Sequence, residues 1–190
     1  MIIYQALYFL KNQLNSYLKF QLGDDYSDTA FISNPVTQDG SAAANTSDRI
    51  LLTLTNVEEE RIGKMQTPPV KSVNGQEVRV NPEINLNLYI LFIANRNNYE
   101  ESLKFVSHVI TFFQGKNVFT PNNSPELDTS IEKLIAELST VSYEQLNNLW
   151  GAMGAKYMPS VLYKVRMLSV QSDLPLYRPE LITSIENPMS

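Results

Sequence analysis

Apolar residues recur every three or four positions near the start of the chain, with polar residues between them. The members of this stripe are Ile3, Leu7, Leu10, Leu14 and Leu18. Such spacing is typical of an amphipathic helix that buries one side. The pattern therefore predicts a helix over residues 2–20, and the following Gly23 begins a polar stretch that ends it.

Alternation of apolar and polar residues predicts three long strands further along the chain. Residues 49–57 are rich in Leu, Ile and Thr, and this strand continues towards Glu60. In residues 84–93 one face is apolar throughout, whereas the other face changes from polar to apolar along its length. Residues 161–168 have one apolar face and one mixed face. These segments predict the body of a sheet.

A shorter strand is predicted around Phe31 and Ile32, with Val36 at its far end. Pro35 lies within this segment, and proline has no backbone N–H to donate to a neighbouring strand. The short strand therefore belongs at an edge of the sheet. Residues 37–48 are small and polar, which predicts a loop.

A second helix is predicted over residues 98–114, because Asn97 or Asn98 can cap it, acidic residues follow in its first turn and Gly115 can end it. Its apolar residues form two neighbouring stripes. The first stripe comprises Tyr99, Leu103, Val106, Ile110 and Phe113, and the second comprises Phe105, Val109 and Phe112. Core packing is favoured for both. Because one sheet rarely covers so wide an apolar arc, the alternative is that the second stripe faces another element or another subunit.

Residues 131–138 permit two interpretations, since their apolar residues have helical spacing but the run is short enough to be a strand. A third helix is predicted over residues 143–153, because Ser142 and Gln145 form a capping box and Gly154 supplies a stop. The predicted fold class is therefore α+β, with a mixed, largely antiparallel sheet packed against about three helices.

The composition agrees with one globular domain and excludes several classes of function. Of the 190 residues, 43% are hydrophobic and 18% are charged. This length and hydrophobic content are sufficient for a full buried core. No cysteine and one histidine leave no thiolate site, disulfide or histidine pair. The glycines lack phosphate-binding spacings, and a net charge of −5 without a basic stripe disfavours nucleic acid. We expect no cofactor, no metal, no nucleic acid partner and no enzymatic activity.

The apolar start of the chain, residues 1–10, is not preceded by a basic residue and is followed at once by Lys11. It fits neither a signal peptide nor a membrane span. We therefore expect a cytoplasmic protein that does not insert into a membrane.

Few residues qualify as candidates for chemistry. His108 is expected on the solvated side of the second helix. Acidic clusters at residues 58–60 and around Asp24 could form a metal or paired-carboxylate site, but a solvated strand end is favoured for the first. Trp150 lies in the apolar stripe of the third helix, where a core position is favoured over an interface anchor. No catalytic or metal-binding residue is assigned.

Residues 62–82 are interpreted as a loop or projecting hairpin that binds a partner. They contain the turn dipeptide Asn74-Gly75 and are longer than most connections. Their cations, Lys64, Lys71 and Arg79, favour docking on an acidic surface. The alternative is an ordinary charged loop.

Residues 173–190 are interpreted as an arm that lies on a neighbouring molecule, separate from a domain formed by residues 1–172. Three prolines and few apolar residues make this tail unsuitable for a core. Its candidate anchors are Leu174, Leu176, Tyr177, Leu181 and Ile182. The last two could add a short strand to an exposed sheet edge.

Four sequence blocks together resemble the tail-terminator or cap proteins of contractile injection systems, which are phage-tail-like particles of bacteria. The blocks are LTLTNVEEER (52–61), INLNLYILF (84–92), NNYEESLKFVSHVITFFQGKNVF (97–119) and LNNLWGAMGAKYMPSVLYKVRML (146–168). The resemblance extends from the first predicted helix to about Ser172.

This resemblance implies a structural role. In that family a ring of subunits, by resemblance a hexamer, closes the end of the particle distal to the baseplate and contacts the inner tube protein and the sheath protein. It implies self-association, these two partners, no catalytic residue and no cofactor, and it favours a strand over residues 131–138. The alternative is a baseplate or tube-adaptor subunit of the same kind of particle.

Overall fold

The computed structural model describes residues 2–60, 70–73, 76–80, 85–169 and 175–177. In these residues the helices are α1 (Ile2–Leu22), α2 (Tyr99–Gly115) and α3 (Tyr143–Met153). The strands are β1 (Ala30–Ile32), β2 (Arg49–Glu59), β3 (Val70–Val73), β4 (Gln76–Val80), β5 (Asn85–Asn95), β6 (Val118–Phe119), β7 (Ile131–Leu138), β8 (Ser160–Ser169) and β9 (Pro175–Tyr177).

Six strands form the main sheet in the order β1-β2-β5-β8-β7-β6. β1 is parallel to β2, and the other neighbours are antiparallel, so the sheet is mixed and largely antiparallel. The short β1 lies at the edge, as predicted, but it ends at Ile32, so Pro35 and Val36 lie outside the strand. The predicted α+β class is confirmed.

One face of the main sheet is covered by α1 and α2. The principal core lies between this face and the two helices. The leucine stripe of α1 is buried, as its spacing predicts. Asn98 caps α2, because its side chain accepts a hydrogen bond from the backbone N–H of Glu100 at 2.8 Å. Phe92 on β5 packs edge-on against Phe113 of α2, with ring centroids 5.3 Å apart.

The favoured core position is confirmed for the second stripe of α2, whereas the alternative of a subunit-facing second stripe is wrong. Phe105, Val109 and Phe112, the second stripe, are buried in the core, so they do not form a subunit-facing surface. Some residues of the first stripe are exposed to solvent instead; Tyr99, for example, is 64% exposed. Helical spacing fixes which residues share a side, but it does not fix which side faces the sheet. Here the three phenylalanines of the helix, all buried, decide the orientation.

Residues 131–138 form strand β7, so the interpretation as a strand is confirmed. Its pairing with β8 shifts between Ile131 and Lys133, which places an irregularity there. Because of this shift, Ile131 and Leu134 both lie in the principal core although they are three residues apart. The bulge explains why a strand shows helical spacing.

The third helix, α3, covers part of the opposite face of the sheet. It begins with the predicted capping box of Ser142 and Gln145 and ends at Gly154, whose φ of 65° suits glycine. Trp150 of this helix is buried in a second, smaller cluster. The cluster also contains Leu91 and Ile93 from the apolar end of the second face of β5, so this end of the face is apolar because α3 packs there.

Candidate partner-binding surfaces

The structure brings the two predicted partner-binding segments together in a separate three-stranded sheet, ordered β3-β4-β9. Lys71 lies on β3 and Arg79 on β4. Leu176 and Tyr177 lie on β9, and Tyr177 is opposite Arg79 in the register. The remaining candidates lie outside the described residues; they are Lys64, Leu174, Leu181 and Ile182. The juxtaposition of hairpin and tail was not predicted, because strand pairing between distant segments leaves no local signal.

The direction of β9 follows from its pairing with β4. Four residues separate the end of β4 at Val80 from the start of β5 at Asn85, so β4 runs towards the main sheet. β9 is antiparallel to β4, with Pro175 opposite Val80 and Tyr177 opposite Arg79. The direction of β9, from Pro175 to Tyr177, is therefore away from the main sheet.

An edge of the main sheet is left uncovered beside β2. β1 pairs with Ile50, Leu51 and Leu52 of this strand. The last backbone hydrogen bond on this side runs from Ser33 N–H to Leu52 O, at 3.4 Å. Beyond this bond, no strand among the described residues pairs with this side of β2. Exposed strand edges of this kind can accept a further strand.

A groove with a cavity volume of about 360 Å³ lies along this uncovered edge. Its floor is formed by Thr53, Leu54 and Thr55 of β2. Leu149, Ala152 and Met153 of α3 form an apolar wall, and the loop of residues 34–38 also lines the groove. The strand edge therefore offers both backbone groups and an apolar surface. The groove was not predicted from the sequence. The signal that could have indicated it is that the first predicted strand is much shorter than the second.

Exposed apolar residues on α1 and α2 provide further surface for association. On α2, Tyr99, Leu103 and Ile110 are each more than one third exposed. On α1, the rings of Tyr4 and Tyr8 stack at 5.8 Å, and Lys11 Nζ lies 4.5 Å from the Tyr8 ring centroid. The two tyrosines lie outside the leucine stripe of this helix. Their position off the buried stripe is the sequence signal that could have indicated their exposure.

The acidic end of β2 is held by side chains of β5. Tyr89 Oη donates a hydrogen bond to Glu58 Oε2 at 2.9 Å, and Asn87 Nδ2 donates to Glu60 Oε2 at 3.1 Å. The hydrogen bond with Glu58 raises the pKa of the Tyr89 phenol above its ordinary value. Within the described residues, no cluster of side chains is arranged to hold a metal ion. The structure agrees with a solvated strand end here.

The second acidic cluster is divided between separate ion pairs. Lys19 Nζ lies 2.8 Å from Asp24 Oδ1, and Arg49 Nη1 lies 3.0 Å from Asp28 Oδ2. The hydrogen bond from Lys19 holds the pKa of the Asp24 carboxyl below its ordinary value. Both aspartates are exposed, so the pairs contribute little to stability.

His108 is half-buried, so the expectation of a simply solvated side chain is wrong. Its ring centroid lies 6.3 Å from that of Tyr17 and 6.1 Å from that of Phe105. The ring packs between α1 and α2 because α2 turns its phenylalanines towards α1 and the sheet. This aromatic packing accounts for the position of His108.

Trp150 occupies the core position that its stripe predicts, and it is 5% exposed. Its ring contacts Tyr157 edge-on, with centroids 5.6 Å apart. The indole Nε1 is buried and has no hydrogen-bond partner. An unpaired buried donor lowers stability, which makes the α3 cluster less favourable than the principal core.

Within the described residues, no helix has both the length and the apolar character to span a membrane.

Comparison with known proteins identifies a family for this fold. The family model for the Pvc16 N-terminal domain matches residues 7–184. No curated protein sequence matches the chain. Solved structures do match, at low sequence identity.

The sheath/tube terminator of PVC, an extracellular contractile injection system, solved by cryo-EM in its extended state, has a TM-score of 0.62 and 12% identity. That similarity covers 100% of this chain and 64% of the terminator. The anti-feeding prophage cap, a tube-terminating cap, has a TM-score of 0.55 and 14% identity, over 95% of this chain and 62% of the cap. The chain thus spans less than two thirds of each of these proteins. The resemblance to tail terminators is confirmed.

Proposed function

The chain belongs to the Pvc16 N-terminal domain family, and from this premise we propose that it is a cap subunit, or tail terminator, of a contractile injection system. In this role it closes the end of the inner tube and sheath distal to the baseplate. The observation that carries the proposal is the family match over residues 7–184. The fold shared with a sheath/tube terminator and a tube-terminating cap supports it.

A terminator has to match the rotational symmetry of the tube that it closes, so we propose a ring, with a hexamer as its expected form. The exposed apolar residues of α2 and the tyrosine pair of α1 are available to subunit contacts. The stripe that serves this role is Tyr99, Leu103 and Ile110, rather than the buried phenylalanines.

The inner tube protein and the sheath protein are the proposed partners. The three-stranded sheet carries Lys71 and Arg79 on the hairpin strands and the start of the tail on β9. We assign the hairpin cations to an acidic surface on one of these partners. The role needs no catalytic group and no cofactor, and assembly of the particle takes place in the cytoplasm.

The test is to locate the protein on particles. Particles assembled from the sheath, tube and baseplate proteins of a contractile injection system, but without a cap protein, are mixed with the purified protein carrying an electron-dense label. Electron microscopy is expected to show the label at one end, opposite the baseplate. Label at the baseplate end would overturn the cap assignment in favour of an adaptor subunit, and unlabelled particles would overturn both.

Mass measurement in solution, with and without tube protein, tests the ring. We expect a closed oligomer either alone or on the tube. A chain that stays monomeric in both samples would contradict the proposal.

A further inference from the structure

We propose that the groove beside β2 binds residues 181–185 of a neighbouring copy as an added β-strand. This inference rests on the proposed ring of cap subunits, because it supplies the link between adjacent subunits. The argument has three steps, which concern the strand edge, the sequence of the tail and the direction of β9.

The backbone of β2 faces the groove with groups that a strand can use. On this side of the strand, Ile50 N–H donates to Thr29 O at 2.9 Å, and Leu52 O accepts from Ser33 N–H. Backbone groups of alternate residues point the same way in a strand, so those of Leu54 face the same side. No strand among the described residues pairs with Leu54 there. An incoming strand would satisfy these groups and extend the sheet.

Residues 181–185 have a sequence suited to this position. They read LITSI and are rich in β-branched residues, which favour strands. In an extended conformation Leu181, Thr183 and Ile185 would lie on one side of this segment. This side of the segment could pack against the apolar wall that α3 forms in the groove. Added strands gain affinity from main-chain hydrogen bonds and specificity from alternate side chains.

The direction of β9 assigns the strand to a neighbouring copy. Because β9 is antiparallel to β4, its C-terminal end at Tyr177 points away from the main sheet of its own subunit. Residues 178–180 can span about 10 Å when extended. An extended connection of this length would place residues 181–185 beyond their own subunit, where a neighbouring copy can accept them.

The proposed contact joins two different surfaces, namely the groove of one subunit and the tail of the next. Contacts of this head-to-tail kind produce closed rings when the rotation between subunits closes. The inference thus names a contact by which the proposed ring is held together.

Cysteine cross-linking of the full-length chain tests the contact directly, because the native sequence contains no cysteine. Ala152 is exposed on the groove wall, so Ala152→Cys places a thiol there, and Thr183→Cys places one in the tail. The two single variants are mixed under mild oxidation. We expect a disulfide-linked heterodimer, since a disulfide forms only when the two Cβ atoms come within about 4.5 Å.

The matched control replaces Ala152→Cys by Asn122→Cys. Asn122 is exposed beside β6, at the edge of the sheet opposite to β1 and β2. Heterodimer in no excess over this control mixture would overturn the proposal. The double variant Ala152→Cys/Thr183→Cys is expected to give linked multimers. A disulfide within single chains, identified by mass spectrometry, would overturn the assignment to a neighbouring copy.

A second variant, Ala152→Arg, places a bulky cation in the groove, and Asn122→Arg is its control. We expect Ala152→Arg to weaken self-association while both variants keep the melting temperature of the parent chain. Unchanged association of a folded Ala152→Arg protein would contradict the proposal. Failure of these tests with normal labelling of particle ends would reject the tail contact alone. Cross-linked multimers that never label particles would reject the cap function and leave the contact standing.

Discussion

The two faces of the main sheet are covered in different ways. On one face, α1 and α2 lie side by side over β2, β5, β7 and β8, and a continuous core fills the space between. On the other face, α3 covers the part near Leu51, Leu91 and Leu162 and leaves a groove beside it. The first face supplies most of the buried apolar contacts, whereas the second offers surface for partners. The first three predictions below test this difference, and the last two test the separate sheet formed by β3, β4 and β9.

The largest expected effect compares two neighbouring residues of β5. Ile90 belongs to the principal core and Leu91 to the α3 cluster, and both are fully buried. We expect Ile90→Ala to cost about 4 kcal/mol and Leu91→Ala about 2 kcal/mol, because two helices hold the first site open whereas α3 can move to fill the second. Urea denaturation measures both values. Equal losses would show that the two faces are packed equally well.

Removing a helix cap should have different consequences on the two faces. Asn98→Ala and Ser142→Ala each remove a side-chain acceptor at a helix N-terminus, which costs about 1 kcal/mol. Because α3 has the smaller core, we expect Ser142→Ala to increase hydrogen exchange in α3 alone. We expect Asn98→Ala to lower global stability. Uniform loss of protection in the Ser142→Ala protein would contradict this prediction.

Trp150→Phe should change stability by less than about 1 kcal/mol, because two effects oppose each other. The smaller ring loses apolar contact, but the substitution also removes a buried N–H that has no acceptor. Thermal denaturation provides the measurement. A loss well above this value would indicate that the indole N–H is paired in solution.

Truncation after Ser172 should barely change the melting temperature of the isolated protein, because β9 pairs with β4 outside the main sheet. We expect a loss of less than about 1 kcal/mol. Retention on particles, measured by co-sedimentation, should fall. The prediction fails if the truncated chain unfolds, or if it stays on particles as well as the full chain.

The smallest effect on stability is expected for the combined variant Lys64→Glu, Lys71→Glu and Arg79→Glu. Surface charges distant from the core change stability by about 0.5 kcal/mol or less. Docking onto particles should weaken, since the cations are assigned to an acidic partner surface. A pull-down at two salt concentrations measures this, because salt screens such contacts.

A control for this charge reversal uses three lysines elsewhere on the surface. The control positions are Lys19, Lys133 and Lys156, which lie outside the surfaces proposed for subunit contacts. This variant has the same net charge, so equal loss of docking in both variants would contradict a specific role for the hairpin.

The sequence determined the elements whose signals are local. The leucine spacing of α1, the capping box of Ser142 and Gln145 and the alternation of β5 each depend on residues a few positions apart, and the structure confirms all three. The change from polar to apolar along the second face of β5 also indicated where another element would pack. The resemblance to tail terminators added the family.

The tertiary structure decided what depends on distant residues. The spacing of α2 could not show which stripe faces the sheet, because orientation depends on the partner surface. Residues 131–138 needed the pairing with β8, whose bulge produces their helical spacing. The groove exists because β1 ends beside Leu52 while β2 continues, and β9 runs away from the main sheet because it is antiparallel to β4. Strand pairing joins segments far apart in the chain, so no local pattern encodes it.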